Sequence, residues 1–250
     1  MMMTAKSLRL SLALALSAPL MLAACSDEAS DAATTGEALA PIDPPAGTSW
    51  TETITVSSEG GYVMGNPAAP IKLIEYASHT CGACANFAQT GKPTLKNKYV
   101  ASGVVSFEQR EVFLNFYDVV IATLVQCGPK EQMQALSDEV WQNHSEVMGN
   151  IQANQQATEA AAQLPKNQQF VFVAEATGLL DFFAARGLSK DQARACLADA
   201  DKIEATAKSV EAVSKAAGVT GTPTFVLNGK KLDVNGWAGV EPLLQRAGAR

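Results

Sequence analysis

Two cysteines separated by two small residues, Cys81-Gly82-Ala83-Cys84, follow an apolar run from Ile71 to Ala77 and precede a helix-compatible stretch from Ala85 to Tyr99. A pair of thiols at a strand-to-helix junction reads as a thiol–disulfide redox centre. The first cysteine meets unpaired backbone N–H groups and the positive end of the helix dipole, which favour a thiolate at Cys81. Cys84, one turn further in on the same helix face, is better shielded and is placed to attack a mixed disulfide formed at Cys81. The first sulfur is then the nucleophile and the second the resolver. Zinc binding and an inert structural disulfide are the competing chemistries. A zinc site needs two further ligands at short spacing, and Cys25, Cys127, Cys196, His79 and His144 are scattered.

The N-terminus says where such chemistry would take place. Lys6 and Arg9 precede an apolar stretch from Leu10 to Ala24, the pattern of a secretion signal over residues 1–24. That stretch of about 15 residues is shorter than the roughly 20 that a membrane-spanning helix needs. Its ending, Leu22-Ala23-Ala24-Cys25, resembles the bacterial lipobox, which implies that Cys25 carries lipid; ordinary cleavage with free release is the alternative. Residues 26–48 are rich in Ala, Asp, Glu, Ser, Thr and Pro, too poor in large apolar groups to order themselves, and read as a tether after Cys25. The folded part is expected to begin near Trp50 and to hold one large core or a core with an inserted lobe.

Charge narrows the partners. The chain carries 19 Lys and Arg against 25 Asp and Glu, a formal charge of −6 that becomes more negative once Lys6 and Arg9 are removed. An acidic protein without a basic stripe is not expected to bind nucleic acid. Setting aside Cys25 and the redox pair leaves Cys127 and Cys196, which form either a second bridge, tolerated in an exported protein, or two buried thiols. Such a bridge would close a loop of about 70 residues, worth roughly 4 kcal/mol in the chain-entropy model.

Around the motif, the pattern predicts an edge strand over Thr51–Val56, strands over Ile71–Ala77 and Val104–Arg110, and a turn at Asn66-Pro67-Ala68-Ala69-Pro70. From Tyr117 to Ala217, apolar residues recur at helical spacing, with segments Asp118–Gln126, Glu131–Val147, Phe170–Ala185, Lys190–Ala198 capped by Ser189, and Lys202–Ala217. Thr222–Leu227 is the next strand, Asn228-Gly229 turns it toward Lys231-Leu232, and Val240–Ala247 is a last helix. Met133, Trp141 and Met148 are expected in the core or lining a groove, Phe87 anchors the active-site helix, and Trp237 packs. His79 is read as a surface histidine without redox influence, and His144 receives no role.

With these elements in place, the chain resembles DsbA-like members of the thioredoxin superfamily from about Tyr62 onward. The resemblance rests on the strand-CxxC-helix junction, the helical insert, Gly221-Thr222-Pro223-Thr224-Phe225, and Glu75 on the strand before Cys81. It implies an α/β thioredoxin-like fold with a large inserted helical domain: 50–114 and 206–250 as the two thioredoxin-like parts, 115–205 as the insertion, 25–49 as lipidated cysteine and tether, and 1–24 as signal peptide. Pro223 would be the cis-proline facing the sulfurs, Thr222 the residue beside them, and Glu75 the buried acid that exchanges a proton with Cys84. Burial should raise its pKa. Cys127 and Cys196 look like the extra disulfide of some members. No metal or cofactor is implied.

The implied partners are reduced, exported proteins held in a shallow apolar groove around Cys81 and Pro223, with a DsbB-like membrane protein as reoxidant. Ala83 departs from the strongly oxidising members, which carry a histidine there, so a less extreme dithiol oxidase is expected. A reductase or isomerase of the same fold is the alternative. A lipoprotein that binds a partner through its helical lobe, with an idle CxxC, is the reading from a different class.

Overall fold

The computed structural model describes residues 36–250, which belong to one compact unit. The expected signal peptide over residues 1–24 and the expected lipid on Cys25 fall outside the described residues. Among those described, six strands form a mixed sheet in the order β1-β2-β4-β3-β5-β6. They are β1 (Ile54–Val56), β2 (Tyr62–Gly65), β3 (Ile71–Ala77), β4 (Val105–Glu111), β5 (Thr224–Leu227) and β6 (Lys230–Lys231). β3 and β4 run parallel, and the other pairs are antiparallel. Only a parallel pair requires a long crossover. That crossover carries the cysteines: α1 (Gly82–Thr90), α2 (Lys92–Thr94) and a π-helical turn (Leu95–Val100).

The expected helix over Ala85–Tyr99 is therefore broken. It breaks at Gly91 because Pro93 has no N–H to continue the ladder of α1, and a Cβ at Gly91 would come within 2.5 Å of Trp237 Cβ, where the C-terminal helix crosses against the backbone. That helix, α11 (Trp237–Arg246), and α1 cover one sheet face, around Ile71, Leu73, Phe87, Phe107, Phe225 and Leu244. On the other face Tyr76, Val112 and Val226 pack with Val213, Ala217 and Val219. Those last contacts belong to α10 (Ala200–Ala216) and the turn after it, so the expected boundary between residues 205 and 206 falls inside a continuous helix.

Between β4 and α10 lie α3 (Phe116–Val125), α4 (Lys130–Gln142), α5 (His144–Ala153), α6 (Gln156–Ala161), α7 (Lys166–Ala176), α8 (Leu179–Ala184) and α9 (Lys190–Ala198). They bury a core of their own, including Ile121, Leu124, Val140, Val173, Phe183 and Leu197. Two expected helices are each split. Glu131–Val147 breaks at Asn143, and Phe170–Ala185 breaks at Gly178, whose φ of 73° is the left-handed region that glycine adopts without penalty. α9 begins on the expected Ser189 cap, with Gln192 completing a capping box. β2 and α6 went unread because neither offers more than a few residues of period.

The tether is corrected over 36–49. Gly36 N–H donates to Arg246 O (3.0 Å), Leu39 N–H to Gly248 O (2.9 Å) and Ile42 N–H to Ser102 O (2.8 Å), while Trp50 Nε1 donates to Ile42 O (2.7 Å). Leu39 and Ile42 stay more than a third exposed. The segment is thus held by carbonyls that α11 and the π-helical turn leave free, a pairing that hydropathy does not register.

Cys127 and Cys196 form a disulfide spanning 69 residues that ties α9 to the end of α3. Replacing both by alanine should lower unfolding stability by roughly 4 kcal/mol, read from urea unfolding at fixed protein concentration. A loss under about 1 kcal/mol would mean that the bridge adds no constraint to the unfolded chain.

Candidate active site

β3 ends at Ala77, and the next four residues turn the chain into α1. Cys81 is the N-cap, with extended backbone (φ −83°, ψ 119°) and its Sγ accepting from Cys84 N–H at 3.4 Å. The loop before it is clamped by the helical insert. Asp118, fully buried, accepts from Ser78 Oγ (2.8 Å), Thr80 N–H (2.9 Å) and Thr80 Oγ1 (3.1 Å). From α4, Trp141 Nε1 donates to Ser78 O at 3.1 Å, and at the start of α5 His144 Nε2 lies 3.2 Å from Thr80 O. His144 therefore touches the cysteine loop, a contact invisible at a separation of 64 residues. Asp118 was foreseeable only as a helix start, since its capping box with Asn115 leaves its other contacts unsignalled.

The two sulfurs are unlike. Cys81 is half-buried, and its pKa is lowered to about 5; the largest cause is the hydrogen bond from the Cys84 thiol, with Thr222 and the backbone N–H groups of Cys84 and Ala83 adding less against an opposing desolvation. The expected influence of the helix N-terminus is thus present but secondary. Cys84 is fully buried, and burial first, then its bond to Cys81 and the Glu75 charge, push its thiol far above the usual range. Both cysteines are free thiols. Across from them the Thr222–Pro223 bond is cis, and Cys81 Sγ lies 3.3 Å from Thr222 O.

Glu75 points from β3 into the same layer as Phe225 on β5 and Gln109 on β4, its register partners. It is fully buried, and neither carboxylate oxygen has a hydrogen-bond partner among the described residues. Burial raises its pKa to about 8, opposed by Lys92 and reinforced by Asp138, Cys81 and Glu111. The carboxyl is therefore mostly protonated at neutral pH.

His79 is not on the surface. It is fully buried, stacked on Trp141 with ring centroids 5.0 Å apart, its Nδ1 3.2 Å from Glu111 and its Nε2 3.0 Å from Ser137 Oγ. Its neighbours in sequence gave no burial signal, because the strand has already ended at Ala77. Phe87 packs edge-on against Phe225 at 4.8 Å, and Met133 and Trp141 are fully buried, whereas Met148 is only partly so. A depression of about 360 Å³ beside Pro223 is lined by Thr220, Thr224, Lys231, Leu232 and Asp233 and does not reach Cys81. No cluster of metal-ligating side chains occurs among the described residues.

Residues 57–246 match the family model described as thioredoxin. The chain belongs to this family. Its relatives include a Rickettsia typhi protein named "Putative protein-disulfide oxidoreductase", 29% identical over 168 residues, which are 67% of this chain and 54% of the relative. The chain spans about half the length of the curated relatives it matches. Among solved structures, a protein-disulfide isomerase from Novosphingobium aromaticivorans is 25% identical with a TM-score of 0.68, covering 74% of this chain and 96% of its own. The alpha-DsbA1 of Wolbachia pipientis, 19% identical, covers 77% and 93% with a TM-score of 0.60 and shares the fold. The fold is thus DsbA-like: a thioredoxin-type sheet with helices inserted after β4.

Ultraviolet titration at the thiolate band should place the Cys81 midpoint near 5 in the reduced protein, and Cys84→Ala should move it upward by removing the principal donor. A midpoint near 9 in the unsubstituted chain would contradict the site geometry. Glu75 makes a second expectation. With its folded pKa near 8 above the ordinary 4.5, the native state holds the extra proton between those values, so stability contributed by this group falls as pH rises through that window. Glu75→Gln should therefore gain stability relative to the native chain from pH 5 to pH 8, by about 3 kcal/mol at neutral pH given about 1.4 kcal/mol per unit. Parallel stability–pH curves would show that the carboxyl is not buried.

Proposed function

We propose that this protein is a thiol–disulfide oxidoreductase whose Cys81–Cys84 pair, acting most readily as a dithiol oxidase, passes its disulfide to reduced, exported polypeptides. The observation that carries this is the inequality of the two sulfurs: one acidic and half-exposed, the other buried and held protonated. A client thiolate attacks Cys81 Sγ of the oxidised pair; the S–S bond breaks and Cys84 leaves with the electron pair. Glu75 hands its proton to that sulfur. A second client thiolate then attacks the client sulfur of the mixed disulfide, and Cys81 leaves as a stabilised thiolate. The client loses two electrons to the protein, and Glu75 recovers a proton from water.

In this reading Thr222 and Pro223 flank the reacting sulfur and leave backbone groups for the client to pair with, and the Cys127–Cys196 disulfide braces the insert without turning over. Thiolate stabilisation at Cys81 favours the reduced protein, which is what an oxidant needs. Ala83 offers no side-chain donor, so the potential is expected to be moderate. That same moderation favours an isomerase as the second reading, because a Cys81 thiolate at neutral pH also attacks misplaced client disulfides. The lipobox-like Leu22-Ala23-Ala24-Cys25 supports a lipid-held location in the periplasm or cell envelope, with a DsbB-like membrane protein as reoxidant. No described helix is long and apolar enough to cross a membrane.

Oxidation of a reduced, unfolded ribonuclease by the disulfide form is the direct test. Cys81→Ala should abolish it, and Cys84→Ala, whose Cys81 thiolate can attack a client disulfide but lacks the resolving thiol, should accumulate a mixed disulfide when given a disulfide-bonded client; activity that survives Cys81→Ala would leave a binding protein with an idle motif. Equilibration with glutathione then sets the direction, about −120 to −180 mV for an oxidase or isomerase and about −270 mV for a reductase.

A further inference from the structure

α5 opens on a histidine that rests against the reactive turn. His144 Nε2 lies 3.2 Å from the carbonyl oxygen of Thr80, the residue before Cys81. A carbonyl only accepts, so Nε2 carries a proton and donates it to this bond. On the other side of Cys81, a Cβ added to Gly82 would stand 3.9 Å from His144 Cε1, an ordinary contact distance. The imidazole therefore touches the residues on both sides of the nucleophile. Thr80 is gripped twice, by Asp118 at its N–H (2.9 Å) and hydroxyl (3.1 Å) and by His144 at its carbonyl. The ring is half-buried, and a second proton taken up at Nδ1 leaves the Nε2 bond in place while giving it a full positive charge.

α1 supplies no such charge, since Gly82–Thr90 holds neither an acidic nor a basic residue. The groups that lower Cys81, on Cys84, Thr222 and Ala83, are all neutral donors. We propose that His144 is a positioning residue for the nucleophile: an imidazolium delivered by the helical insert sets its charge beside the Cys81 thiolate and favours the reduced pair at mildly acidic pH. When the second client thiolate attacks the client sulfur of the mixed disulfide, the electron pair of the S–S bond passes to Cys81 Sγ and no proton moves. The negative charge then arises next to the imidazolium. That step rests on the oxidoreductase reading above, whereas the pairing of imidazolium and thiolate in the reduced protein does not.

The titratable and charged groups around the imidazole come from the turn itself and three elements. The turn brings Cys81 and, behind Trp141, the buried His79 paired with Glu111. The start of α3 brings Asp118, whose carboxylate is engaged by Ser78, Thr80 and the backbone N–H groups of Leu114 and Asn115. α4 brings Glu139, paired with Arg186 at 2.8 Å, and α5 itself brings Glu146. Asp118, Glu139 and Glu146 are present in both redox states, whereas the thiolate is lost on oxidation. A change in the imidazole between the two states therefore reports the thiolate.

The test uses the full chain. It contains two histidines, so its carbon-bound imidazole protons give two nuclear magnetic resonance signals, and the one lost in His144→Gln belongs to His144. In the reduced protein the His144 midpoint should lie about half a pH unit or more above that in Cys81→Ser, with the oxidised protein as a second reference that also lacks the thiolate. Glutamine keeps an N–H for the Thr80 carbonyl and loses the charge, so His144→Gln should raise the ultraviolet midpoint of Cys81 by a similar amount. Equilibration with glutathione should make the unsubstituted chain a stronger oxidant than His144→Gln by about two- to threefold near pH 6 and equal to it near pH 8.5, where an imidazole is neutral. A latch on Thr80 with no electrostatic part would give the same ratio at both pH values. Equal His144 midpoints in the reduced protein and in Cys81→Ser overturn the proposal, as does a ratio that does not change with pH. Should His144→Gln fail to fold by circular dichroism, the comparison of reduced protein with Cys81→Ser decides alone, the signal being assigned through the backbone resonances. Imidazole titration needs no client, so failure here is distinguishable from failure of the redox reading, which Cys81→Ala tests separately.

Discussion

The placement of Cys81 at the N-cap of α1, its sulfur accepting from the Cys84 backbone N–H, organises this molecule. That placement lowers the pKa of Cys81 while burial raises that of Cys84, and it persists only while the two side chains stay on the same turn of α1 with the first at the N-cap. The surrounding architecture serves that placement. β3 delivers the chain to the helix, Asp118 and Trp141 fix the loop between them, and the cis Thr222–Pro223 segment closes the far side. Depth distinguishes the sulfurs further: Cys84 sits among Ala77, Ala85, Ala88 and Trp141, where an anion is poorly solvated.

The insert is more than a lid. Three of its residues, Asp118, Trp141 and His144, reach the four-residue loop ahead of the helix, so the geometry of the sulfurs is set as much by the inserted helices as by the sheet. The fold also carries a stability cost at the same place. A buried carboxyl with no hydrogen-bond partner among the described residues, Glu75, disfavours the native state, and its retention beneath the reactive pair is the pattern of a site where charge placement has a purpose.

Much of this was readable from residue order. The CxxC junction, the parallel pair around it, the helical composition after Tyr117 and the Ser189 cap all follow from local chemistry with short-range consequences. Glu75 could be placed inward because its neighbours Leu73 and Ala77 share its face. What escaped depends on distance. Asp118, His144 and Lys92 act through partners dozens of residues away, and no spacing rule reports them. His79 was read as exposed because nothing local marks its burial, whereas the helix break at Gly91 was legible in Pro93 and the one at Asn143 arises from turn geometry rather than from apolar period. The ordered segment at 36–49 was missed for another reason: backbone groups, not side chains, hold it.

That segment gives the domain a direction. It fastens near Ser102 and Gly248, beside the beginning of β4, and β3 and β4 run side by side from that end toward the cysteines. A strand of 7 residues spans about 20 Å at about 3.3 Å per residue. Residues 36–49 thus join the domain at the stern, with the reactive sulfur at the bow, about one strand length away.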